Sequence, residues 1–144
     1  MDKVIVSVSG EQADAAGERS VIEMTAEGRH YFKSGKHYIL YDDHSLTEGE
    51  AASTVLKIAP DSLELIRKGA VMSRQFFAKA YEDRCMYQTP LGSLDLTVRT
   101  ESLEIAYGTV SGSVDVSYAV LLNGEPQGKH ALHIEVCADE GYRS

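Results

Sequence analysis

Tryptophan is absent from this 144-residue chain, cysteine occurs twice and proline three times. The two cysteines, Cys85 and Cys137, lie far apart and offer neither a disulfide framework nor a Cys-x-x-Cys spacing. They read as reduced thiols packed in or near a core. Long apolar runs are missing too: nothing approaches the roughly 18 residues that a membrane helix needs. Met1-Asp2-Lys3-Val4 leads straight into alternating sequence, so no signal peptide is expected and the cytoplasm is the expected compartment. Positive charge is scarce. Fourteen Lys and Arg stand against 22 Asp and Glu, a net charge of −8. That balance repels a phosphate backbone and argues against nucleic acid as a partner. There is no phosphate-binding Gly-x-x-x-x-Gly-Lys, and Gly108-Thr-Val-Ser111-Gly112 has the wrong spacing for a nucleophile elbow.

Amphipathic helical periodicity is also scarce. Residues 10–19 favour helix by composition but have no apolar stripe, so they read as a loop, and residues 44–52 read as a second polar loop. What is present instead is a two-residue rhythm. Val4, Val6 and Val8 share one parity, as do Leu94, Leu96 and Val98, and again Val114, Val116, Tyr118, Val120 and Leu122. Such alternation marks strands with one buried and one wet face. It predicts strands near 3–9, 20–33, 36–43, 52–59, 62–68, 70–79, 83–89, 92–100, 102–110, 112–122 and 128–137. Ser34-Gly35, Pro60-Asp61, Lys68-Gly69, Pro90-Leu-Gly92 and Asn123-Gly124 supply the turns. Short connections favour antiparallel neighbours. With no helices to cover an apolar sheet face, the sheet must fold over on itself. The expected fold is all-β: one domain over residues 1–144, an up-and-down antiparallel barrel of about eight to ten strands. A two-sheet sandwich is the alternative.

Several segments resemble the YwiB-like family of bacterial proteins. They are Gly28-Arg-His-Tyr-Phe with Ser-Gly and His37-Tyr-Ile-Leu-Tyr-Asp-Asp, then Leu65-Ile-Arg67-Lys-Gly69-Ala-Val, then Tyr87-Gln-Thr89-Pro-Leu-Gly92-Ser-Leu-Asp-Leu. The resemblance covers roughly residues 20–136. It implies a calycin-like, lipocalin-type barrel in the cytoplasm, and it transfers no catalytic residue. True lipocalins carry a Gly-x-Trp near the first strand, which a chain without tryptophan does not have.

Function is sought among polar residues that keep the apolar parity. Arg67 follows Leu63 and Leu65; Tyr87, Tyr107 and Tyr118 fall among apolar partners, and Gln75 joins them. If the apolar faces point inward, these five line the lumen, where a buried Arg needs a partner. They are the candidate ligand-binding residues, for a small amphipathic or anionic molecule. Against this stands a barrel filled by its own side chains. That second reading makes the chain an interaction or dimerisation module; an enzyme is the third reading.

No metal or cofactor is expected. His130 and His133, three apart on a strand, face opposite sides, whereas His30 and His37 flank the Ser34-Gly35 hairpin and can approach across it. Strand histidines are ordinarily solvent-exposed. Glu23 with Glu27, and Asp115 with Glu135, are the carboxylate pairs weighed for acid–base chemistry. Tyr31, Phe32, Tyr38 and Tyr41 alternate in parity, so some belong to the core and others to the surface.

Overall fold

The computed structural model describes residues 2–13, 16–47, 50–68 and 73–139. It contains ten strands and, among the described residues, no helix: β1 (Asp2–Ala13), β2 (Arg19–Lys33), β3 (Lys36–Thr47), β4 (Glu50–Ile58), β5 (Ser62–Lys68), β6 (Ser73–Ala78), β7 (Glu82–Thr89), β8 (Gly92–Tyr107), β9 (Gly112–Leu122) and β10 (Glu125–Ala138). Every ladder is antiparallel, and the order is β6-β5-β4-β3-β2-β1-β10-β9-β8-β7. The chain therefore winds one way from β1 to β6 and returns from β7 to β10 on the other flank. Among the described residues, no ladder joins the two flanks where β6 faces β7. Phe76 N–H on β6 donates to the Asp83 carboxylate on β7 at 3.1 Å, and the Phe76 ring meets that of Tyr81, just before β7, edge to face. The result is the nearly closed barrel that the alternation predicts.

The buried parity follows the sequence rhythm. Val4, Val6, Ile39, Leu56, Ile58, Leu63, Phe77, Val98 and Val114 are fully buried. Their burial supplies the main driving force, at about 25 cal/mol per Å² of apolar surface. Three boundaries differ from expectation. The strands expected at 92–100 and 102–110 are one strand, β8, which ends at Tyr107 and has a bulge between Thr100 and Ser102. The bulge reverses parity: Leu96 and Val98 are buried before it, Leu103 after it. Residues 10–13, expected in a loop, extend β1, because Gly10 through Ala13 pair with β2 and β10 on both sides. Residues 44–47 and 50–52 belong to β3 and β4 rather than to a loop. The Lys68-Gly69 turn and the start of the 70–79 strand fall partly outside the described residues.

The cysteines also depart from expectation. Cys137 is free and exposed, because it takes the outward parity beside buried Val136. The side chain of Cys85 lies outside the described part of β7.

Gly112 marks one end of the barrel. It pairs with Tyr107, whose ring lies over it, and an added Cβ would sit 2.5 Å from Tyr107 Cα. An aromatic ring thus fills the space that the glycine leaves. Gly112→Ala is expected to lose about 1–3 kcal/mol, read by urea denaturation, because backbone rather than a flexible tip must move. A loss below about 0.5 kcal/mol would show that the β8–β9 turn accommodates the methyl group.

Candidate functional site

The barrel is packed through its middle and hollow at one end. A cavity of about 450 Å³ opens there, lined by Arg67 and Gln75 from β5 and β6, Tyr118 and His130 from β9 and β10, and apolar Met24 and Leu132. Arg67 reaches this space because it continues the inward parity of Leu63 and Leu65. Gln75 sits opposite Leu65 in the β5–β6 ladder. Tyr118 and His130 are register partners whose rings stack at 5.2 Å, and the Phe77 ring, tilted, lies 4.8 Å from that of Tyr118.

Burial sets the electrostatics. It pushes the Tyr118 phenol above its ordinary pKa, against the nearby Arg67 charge, which favours the phenolate. It also holds His130 below the usual histidine value. At neutral pH this wall therefore presents a cation at Arg67, a neutral imidazole and a phenol beside apolar side chains, and Glu11, which also lines the cavity, is paired with Arg19. Such a wall suits a molecule with an anionic end and an apolar body.

Of the five residues singled out from the sequence, Arg67, Gln75 and Tyr118 share this cavity. Tyr107 does not. It lies at the far end of the barrel, where its hydroxyl donates to Val110 O at 2.5 Å and burial raises its pKa. The Tyr87 side chain lies outside the described residues. His130 is not among the five: its place opposite Tyr118 depends on the irregularity between Pro126 and Lys129, which the Asn123-Gly124 turn does not announce.

The far end holds a second polar cluster. His30 is only 2% exposed, contrary to the expectation of a solvent-exposed strand histidine. It is buried because it shares the inward parity of β2 at the point where β1 and β3 flank it. Its Nδ1–H donates to Asp2 at 2.9 Å, which leaves Nε2 to accept from His37 Nδ1–H at 2.9 Å. Tyr107, at 4.2 Å, and Phe32, at 4.9 Å, both pack against the His37 ring. His37 is held below its ordinary pKa, first by burial and second by the neighbouring His30. Among the described residues, no group of three or more His, Cys, Asp or Glu side chains is arranged to hold a metal ion.

The outer wall carries ion pairs instead. Asp115 and Glu135 both bond His133, at 2.5 and 3.3 Å, and raise its pKa. These carboxylates grip an imidazole on a solvated face. Glu23 and Glu27 follow each other along the exposed parity of β2. Tyr31 and Tyr38 stack outside at 4.7 Å, while Tyr41 enters the core. A further groove runs along the outside past Glu27, Arg29, Asp42 and Asp139, with both signs of charge along it.

These features define an all-β, nearly closed up-and-down barrel with one hollow end. The family model described as a domain of unknown function (DUF1934) matches residues 6–134, and the chain belongs to that family. The crystal structure of ywiB protein from Bacillus subtilis matches with a TM-score of 0.85 over 96% of this chain and 92% of that one. The two are 22% identical, so the likeness carries the fold. No curated protein matches the chain. No helix among the described residues is long and apolar enough to cross a membrane.

Proposed function

We propose that this barrel is a non-enzymatic cytoplasmic binding protein that takes a small amphipathic molecule with an anionic end into its hollow end. The observation that carries the reading is the cavity of about 450 Å³ with Arg67 in an otherwise largely apolar wall. Its volume falls within the range of roughly 300–1,000 Å³ usual for small-molecule sites, and such sites combine an apolar lining with a few convergent polar groups. Arg67 takes the anionic end, Gln75 and His130 offer neutral hydrogen-bonding groups, and Tyr118 and Met24 lie along the apolar body.

Gly10 offers a clean test. A Cβ there would lie 3.8 Å from Leu132 Cδ1, an ordinary contact, so a larger side chain enters the cavity without a backbone clash. Titrated with anilinonaphthalene sulfonate, the wild type is expected to bind saturably. Gly10→Leu is expected to abolish binding with its melting temperature retained. Arg67→Met is expected to weaken the anionic probe about tenfold, the loss of about 1.4 kcal/mol from one charge-assisted contact, and to spare an uncharged analogue. Absence of saturable binding, or binding indifferent to both substitutions, would overturn the proposal.

A further inference from the structure

The two sides of β2 are treated unequally. β1 pairs with it from Arg19 to His30, whereas β3 pairs only from Gly28 to Lys33. Beyond Tyr41, β3 turns to β4 alone. Residues 19–27 therefore form a nine-residue strand edge that no described strand pairs with, roughly 27 Å long.

Two observations fix which peptide groups face that open side. Ser34 and Gly35 both have positive φ, 53° and 79°, so they form the two-residue hairpin turn that closes on the hydrogen-bonded pair Lys33–Lys36. Odd-numbered peptides of β2 thus face β3. Independently, Lys3 O accepts from Asp139 N–H beyond the end of β10, so odd peptides of β1 face β10 and even ones face β2. The even residues of β2 answer them in register. Both routes leave Arg19, Val21, Glu23, Thr25 and Glu27 presenting N–H and C=O groups to the open side.

Of the usual guards that edge carries charge, at Arg19, Glu23 and Glu27. It contains no proline, and its ladder with β1 shows no bulge. Val21 is 58% exposed and Ile22 45%, one on each face. An open edge of this kind with apolar side chains is a template for another strand, and its first five residues, Arg19 to Glu23, are the ones that pair in the register below.

We infer that the β2 edge is a self-pairing surface on which a second copy of this chain adds antiparallel, with the two-fold axis at Val21. The charge pattern selects that partner and that register. Val21 then faces its counterpart and Ser20 faces Ile22. Arg19 faces Glu23 on both sides of the axis, giving two cross-strand pairs of opposite charge. A two-fold at Glu23 would oppose two carboxylates, and one at Ile22 would set Val21 against Glu23. Arg19 already meets Glu11 on β1, but its side chain is 70% exposed, and a guanidinium has five donors to share. Ile22 also lines the cavity, so the seam runs beside its mouth. The inference does not depend on a ligand.

Native mass spectrometry and sedimentation over a concentration series test it on the full chain. The wild type is expected to show a concentration-dependent dimer. Val21→Pro removes an N–H that the barrel itself does not use, so it is expected to keep the fold and lose the dimer. Arg19→Glu and Glu23→Arg are each expected to raise the dimer dissociation constant about tenfold, because each places like charges opposite one another twice. The double exchange restores the pairing. Should Val21→Pro fail to fold, the charge exchange decides alone. A wild type that stays monomeric at every concentration, or a dimer whose charge variants show no mutual rescue, overturns the inference.

Discussion

Phe77→Ala is expected to destabilise the barrel by about 3–5 kcal/mol, read as a fall in the urea midpoint with an unchanged m value. Phe77 is fully buried and is the largest such side chain. It stands on β6, a terminal strand of the sheet whose only described ladder is with β5, so contacts through its side chain do much of the closing that hydrogen bonds do elsewhere. The ring also packs against Tyr118, at 4.8 Å. Truncation leaves a void that the flanking strands fill only in part. Against a usual total of about 5–15 kcal/mol, the loss is enough to bring a domain near unfolding. Phe77→Leu, which keeps most of the volume, is expected to cost much less, about 1–1.5 kcal/mol. A loss below about 1 kcal/mol for the alanine would show that the β6 flank collapses freely around the gap.

Parity explains why so much of the barrel was legible. Each strand is half-buried, so a period of two marks inside and outside residue by residue, and Arg67, Gln75 and Tyr118 could be assigned to the inside before any packing was known. Parity carries no information about height along the barrel axis. Height depends on register between strands distant in sequence, such as Val4 against Ala138 and Asp2 against His30. For that reason Tyr107 could not be told from Tyr118, although they occupy opposite ends. The bulge at Thr100–Ser102 was invisible for a related reason: a reversal of parity reads like a turn between two strands. Residues 10–13 do not alternate in hydropathy, yet strands on both sides hold them, and a pattern of hydropathy cannot report ladder hydrogen bonds. The approach of His30 and His37 was readable from the tight turn between them. Asp2 was not, because β1 brings it from another part of the sequence.

That histidine cluster carries the second large effect, and the effect depends on pH. Folded His37 holds its pKa below the ordinary value, through burial first and His30 second. In the unfolded chain it titrates near about 6.5. Just below that pH the unfolded state takes up a proton that the folded state refuses, so stability falls as pH falls. The contribution is intact above the unfolded pKa and is lost as pH drops through the folded one. His130, lowered by burial, acts in the same direction. His133 opposes them. Its pKa is raised by its bonds to Asp115 and Glu135, so its contribution is present below about 6.5 and lost as pH rises through the folded value. On an exposed face that opposition is weakened by solvent. The melting temperature is therefore expected to decline from about pH 7 towards pH 5, and His37→Asn, which keeps a donor for His30 Nε2, is expected to flatten the decline. His30→Leu is expected to cost about 2–3 kcal/mol at neutral pH, since it leaves the His37 Nδ1–H without its acceptor and takes a buried partner from Asp2. By NMR titration, His37 in that variant should move only part of the way back towards its ordinary pKa, because the larger cause, burial, remains. A full return would make His30 rather than burial the dominant influence, and a pH slope unchanged in His37→Asn would take His37 out of the acid response altogether.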